Sequence, residues 1–150
     1  MQRDRQHGFS LVEVVVALGI LAGLLISIAG LFVLGTRQVD SGRHATEALA
    51  VATGIVEETE GWGFRQLYEL FEIPPSWNRA ELDTRSDPRA SSWQPAIGAS
   101  LHEGYARIVI EAVGSGLPTF ADARAIRVTV VVHWREGSRP RSVRLATVRF

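Results

Sequence analysis

Gly8-Phe9-Ser10-Leu11-Val12-Glu13 opens a run in which, from Val14 to Gly35, 22 consecutive residues carry no formal charge. At about 1.5 Å rise per residue, a helix of that length spans roughly 33 Å, enough to cross the hydrocarbon core of a bilayer. The run reads as a single membrane span. Arg3 and Arg5 stand against Asp4 before it, while Arg37, Asp40, Arg43 and Glu47 follow it. Arginines near the first end favour a short N-terminus on the cytoplasmic side. A conventional secretory signal has a shorter apolar core, about 7–15 residues, and a small-residue cleavage site. No Ala-x-Ala-like site closes this run, and Gly35-Thr36-Arg37 is a poor substitute. A plain membrane anchor is the simplest alternative that remains.

Glu13 separates the alternatives. It lies inside Phe9-Ser10-Leu11-Val12-Glu13-Val14-Val15-Val16-Ala17-Leu18, with apolar residues on both sides. An ionised acid at mid-helix costs about 2.5–3.5 kcal/mol on insertion scales, less near the interface. A simple anchor gains nothing from that cost. The carboxylate calls for a cationic partner, and a neighbouring molecule can supply one.

The sequence Gly8-Phe9-Ser10-Leu11-Val12-Glu13 followed by the apolar run resembles the type IV pilin-like family: pilins, minor pilins and the pseudopilins of type II secretion. The resemblance implies cleavage between Gly8 and Phe9 by a prepilin peptidase on the cytoplasmic side, then N-methylation of the new Phe9 amine. It also implies that this amine, on an adjacent subunit, is the cation for Glu13. Residues 1–8 would then be a leader peptide, 9–36 a transmembrane and filament-core helix, and 37–150 an exported α+β domain. The implied partners are other pilin or pseudopilin subunits, the prepilin peptidase/methyltransferase and an inner-membrane assembly platform. Gly30 falls where many members of the family carry a helix-breaking proline. Gly42-Arg43, Thr46-Glu47-Ala48, Ile55-Val56-Glu57-Glu58 and the Val-rich run ending in Trp134 look most like minor pilins of the PilV type. The minor pseudopilin I of type II secretion is nearly as similar.

Beyond the membrane, Ala45, Ala48, Ala52, Ile55 and Thr59 keep helical spacing, with Leu49 and Val56 beside them. Arg43, Glu47, Glu57, Glu58 and Glu60 take the other faces, and Gly61 and Gly63 are stop signals. The pattern predicts one helix of about 50 residues from Phe9, with Gly42 and Gly54 weakening it locally. Phe64 to Phe71 reads as a short amphipathic helix. Pro74 to Pro95 holds four of the six prolines and is expected to be a long loop, with Trp77 and Trp93 anchoring it to the domain.

The period then changes to two. Ala106, Ile108, Ile110 and Ala112 share one face, opposite Tyr105, Arg107 and Glu111; Ile126, Val128, Val130, Val132 and Trp134 repeat the pattern. Ser142 to Phe150 is a third such run, joined through Arg135 to Pro140, whose Gly and Pro mark a hairpin. The expected fold is α+β: an antiparallel meander of three or more strands, one face on the long helix. This also resembles the pilin-like fold.

The composition closes off other chemistries. With no cysteine there is no disulfide, thiolate nucleophile or sulfur-ligated metal. His7, His44, His102 and His133 lack metal-ligand spacing, and Glu57, Glu58 and Glu60 lack an oxygen-rich calcium loop. Gly114-Ser115-Gly116 is a turn, without the lysine of a phosphate loop. No nucleophile motif is present, so neither catalysis nor a cofactor is expected. The 16 cations, all arginine, balance 16 acids, which argues against a protein living by nucleic-acid binding. Charge is nevertheless uneven: residues 37–89 hold six arginines and ten acids, and residues 90–150 hold eight arginines and four acids. Complementary patches between subunits are one reading, and DNA contact by Arg139, Arg141, Arg144 and Arg149 is the least favoured. The competing function classes are an anchored exported binding domain and a membrane-tethered enzyme. Both tolerate replacement of Glu13. We therefore predict that Glu13→Ala inserts in the membrane normally but assembles poorly, as read by the filament-to-membrane ratio after shearing; normal incorporation would remove the role.

Overall fold

The computed structural model describes residues 10–116 and 118–150. The chain divides into two compact units, the first ending at Asp40 and the second spanning Ser41–Phe150. One helix, α1 (Leu11–Glu60, 50 residues), contributes to both. Its length matches expectation to within two residues at the N-terminal end.

In the first unit α1 carries its apolar side chains outward on every side, from Leu11 and Val12 through Phe32 and Leu34 to Val39. A helix apolar all round needs a protein core or a membrane, and this one is long and apolar enough to cross a bilayer. Four hydroxyls along α1 bond back to carbonyls of their own helix: Ser27 to Gly23, Thr36 to Val33, Thr46 to Gly42 and Thr59 to Val56. Ser27 and Thr36 thus satisfy themselves without water, the condition lipid imposes.

In the second unit α1 turns one-sided. Ala48, Ala52, Ile55, Val56 and Thr59 are buried, while Leu49 stays 45% exposed. A short helix α2 (Phe64–Leu70) follows, then a four-stranded antiparallel sheet of order β1-β2-β3-β4: β1 (Arg79–Asp83), β2 (Tyr105–Val113), β3 (Ala125–Glu136) and β4 (Arg139–Arg149). Ala80 and Leu82, Ala106, Ile108 and Ile110, and Ile126, Val128, Val130, Val132 and Trp134 all turn inward. They form one core with the buried face of α1, Leu67, Phe71, Ile97, Leu101 and Phe120. Full burial of one such aliphatic side chain contributes about 1.5–3 kcal/mol, so period-two alternation fixes which face each strand presents.

The segment from Pro74 to Pro95 corrects the loop expectation. It contains β1, a 3-10 helix (Pro88–Trp93) and the first residues of α3 (Gln94–Ser100). Two of its four prolines sit where the missing N–H costs nothing: Pro88 opens the 3-10 helix and Pro95 lies in the first turn of α3. The Asp87 carboxylate accepts from the Arg89 N–H and caps that first turn. Trp93 is an anchor, tilted against Phe71 at 6.2 Å with its indole N–H donating to Glu58 at 2.7 Å. Trp77 is not, being 53% exposed. At the far end of α3, a Cβ on Gly104 would stand 2.9 Å from the Leu101 carbonyl oxygen, so the turn into β2 requires glycine. The β3–β4 connection is just Gly137-Ser138, with Gly137 at φ +61°, and Pro140 lies inside edge strand β4.

The last turn of α1 contains acids and no base, the wrong sign for the negative end of a helix dipole. Arg149, next to the chain's final residue, supplies the missing charge. One guanidinium nitrogen donates to the carbonyls of Thr59 (2.9 Å) and Trp62 (2.6 Å), and the other donates to Glu60 (2.8 Å). Thr147 on the same strand donates to the Glu60 carboxylate at 3.1 Å. Hydrogen bonds to a charged group contribute about 1.5–3 kcal/mol each. Arg149→Ala should therefore lower unfolding stability by about 2–3 kcal/mol, measured on the full chain in detergent. Arg149→Lys should recover only part, because a lysine ammonium cannot fork across three carbonyls. An unchanged transition in both variants would show that the clamp contributes nothing.

Candidate functional site

Of the three residues expected to carry function, Gly8 and Phe9 lie outside the described residues. Glu13 lies in the first turn of α1, which the Val14 N–H closes onto the Ser10 carbonyl at 3.2 Å. A carboxylate there faces the positive end of the helix dipole. It has no ion pair among the described residues, and its neighbours Leu11, Val12, Val14, Val15 and Val16 are all exposed apolar side chains. Residues three and four apart share a helix face, so Glu13 lies on one line with Val16, Ala17 and Ile20. An acid on an otherwise apolar face can do one chemical thing well: accept a cation from another helix laid against it.

The sheet face turned away from the core carries a charge ladder. Arg79 pairs with Glu81 (3.2 Å) and Glu111 (3.5 Å), Arg107 with Glu81 (3.0 Å), and Arg127 with Glu111 (3.8 Å). Each acid lies between two arginines, and Val109 in their midst is only 8% exposed. Exposed ion pairs of this kind contribute about 0–1 kcal/mol each, and their arginine stems shield apolar surface. Farther along, Arg85 sits 3.5 Å over the Tyr105 ring, which stacks on His133 at 4.7 Å and 16°. Partial burial, then Arg107 and Arg85, hold the His133 imidazole below its ordinary value. Arg85 holds the Asp83 carboxyl down by hydrogen bonding, Arg89 does the same to Asp87, and the Ser41 hydroxyl and Arg141 do so to Glu136.

These groups are spent on one another. The cleft at Glu81, Asp83, Asp87, Arg89 and Arg107, about 520 Å³, is open, and its carboxylates already face guanidinium groups. No cluster of three metal-ligating side chains occurs among the described residues. His44 lies on α1, His102 in the turn between α3 and β2, and His133 on β3. Sequence reasoning missed the Arg149 clamp and the Arg85–Tyr105–His133 stack. A signal for the first existed: Arg149 follows Val143, Leu145 and Thr147 on the half-buried parity of β4. The second needs the register that sets Tyr105 opposite His133.

Residues 3–35 match the family model described as the prokaryotic N-terminal methylation motif. The match takes in Gly8, Phe9, Glu13 and the apolar run, and leaves the whole Ser41–Phe150 unit outside it. No protein of curated function and no solved structure matches the chain. An N-terminal apolar helix bearing this motif fits a single-pass inner-membrane anchor, and the motif implies processing by prepilin peptidase and assembly with other pilin subunits. The motif, the unbroken apolar helix and the four-stranded antiparallel sheet together support a type IV pilin-like family for this chain.

Proposed function

We propose that the chain is a minor pilin or pseudopilin, a structural subunit drawn from the inner membrane into a type IV pilus or a type II secretion pseudopilus. The observation that carries the reading is Glu13: a carboxylate without an ion pair among the described residues, on the apolar surface of a membrane-length helix, inside a methylation motif. In this reading the peptidase cuts between Gly8 and Phe9 on the cytoplasmic side, and the Phe9 amine is methylated. The Ser41–Phe150 unit lies in the periplasm. Glu13 of an incoming subunit neutralises the Phe9 ammonium of its neighbour. Both charges are desolvated in that pair, so it contributes register more than affinity, while losing one partner costs about 3–5 kcal/mol. The resemblance of Gly42-Arg43 and Ile55-Val56-Glu57-Glu58 to PilV-type minor pilins favours the pilus over the pseudopilus.

The mature N-terminus decides the reading. Mass spectrometry of the chain purified from membranes should find a polypeptide beginning at Phe9 with one added methyl group. A chain beginning at Met1 would overturn it and leave an anchored exported domain.

A further inference from the structure

Among the described residues the sheet ends in β1 on one side and β4 on the other, and on β1 the Asp83 carbonyl already accepts from the Ser86 and Asp87 N–H groups. Strand β4 is 11 residues long, and among the described residues no loop backbone hydrogen-bonds it from outside the sheet. A row of unpaired N–H and C=O groups is a template for another strand. The two edges differ in charge. Strand β4 holds Arg139, Arg141, Arg144 and Arg149 and no acid, whereas β1 carries Glu81 and Asp83 with Arg79. Arg144 is exposed and has no ion pair among the described residues. The same contrast runs through the two halves of the exported part, net −4 for residues 37–89 and net +4 for residues 90–150.

We propose that β4 of one copy pairs with β1 of a second copy, extending the sheet from subunit to subunit. This rests on the assembly reading above. Strand count supports it: in an antiparallel sheet of four strands, β1 and β4 run in opposite directions. Two copies placed side by side in the same orientation therefore bring β4 and β1 together antiparallel, continuing the alternation. Copies anchored in one membrane share their orientation. Antiparallel pairing of β4 with itself would reverse one copy, sending the two Ser41 entry points to opposite ends, and would set arginines against arginines. A β4-to-β1 contact uses different surfaces on each copy, so it propagates without closing.

The alternation also suggests a register. With Glu81 opposite Arg144, Ala80 meets Leu145 and Leu82 meets Val143 on the inner face, while Asp83 meets Ser142 outside. Apolar pairs continue the core, and Arg144 joins Arg79 and Arg107 around the Glu81 carboxylate.

The chain has no cysteine, so an introduced pair reports without background. Full-length Glu81→Cys/Arg144→Cys, oxidised in membranes, should give a ladder of dimers, trimers and higher species on a non-reducing gel. The two single variants expressed together should stop at a dimer, and each alone should stay monomeric. A monomeric double variant in cells whose sheared filaments still contain the chain would overturn the contact while leaving the filament reading intact. A dimer from Arg144→Cys alone would overturn it in favour of self-pairing. The cross-link is read in membranes and does not require filaments, so a mature chain beginning at Met1 sinks the assembly reading separately.

Discussion

A single helix is asked to satisfy two solvents. From Val14 to Gly35 α1 is uncharged and apolar on every side, and from Ser41 it buries only one stripe against a sheet. The helical backbone makes both possible, because its hydrogen bonds are internal and ask nothing of the surroundings. Side chains do the rest, and the changeover is read directly from where arginines and acids begin to alternate with alanines. What a helix cannot satisfy internally is its end. The last carbonyls of α1 stand beside Glu57, Glu58 and Glu60, and the fold answers with a guanidinium brought from the final strand, about 90 residues later in the chain.

That answer explains why the sheet must be complete before the helix end is secure. Arg149 lies two residues beyond Thr147, and both reach α1 from the same edge strand. Strand β4 is held in turn by β3 through a register that runs from Glu136–Arg139 to Ile126–Arg149. At the other end of β4, Arg141 bonds Glu136 beside the hairpin turn at 2.9 Å, and the Ser41 hydroxyl helps hold that carboxyl below its ordinary value. Glu81 and Glu111 on the far face of the sheet, by contrast, are matched by Arg79, Arg107 and Arg127 of that face and ask for no help from the helix.

Much of this was legible in the residues. The helical stripe Ala48, Ala52, Ile55, Thr59 and the alternation in β2 and β3 are local patterns with many repeats, and the structure places their faces as read. The motif around Gly8, Phe9 and Glu13 was legible for the same reason, since six contiguous residues carry it. Strand β1 was hidden because it offers just two inward residues, Ala80 and Leu82, between polar neighbours and prolines. Its strand state comes from pairing with β2, a tertiary effect that no short window contains. Trp77 was misjudged by type: tryptophans are usually buried, and this one meets solvent while Trp93 fills the place expected of both.

The position of the Arg149 clamp has a mechanical meaning. Chain enters the second unit at Ser41 and the clamp grips at Thr59 to Trp62, near the opposite end of the same helical segment. This stretch of α1 runs in the same direction as β4, from Ser41 beside Glu136 to Glu60 beside Thr147. A pull arriving through the helix is thus directed along the strand beside it. It must slide the packed face from Ala45 to Thr59, about four turns, past the sheet at once. A domain built this way meets an axial load in shear, the loading geometry in which many small contacts share the strain.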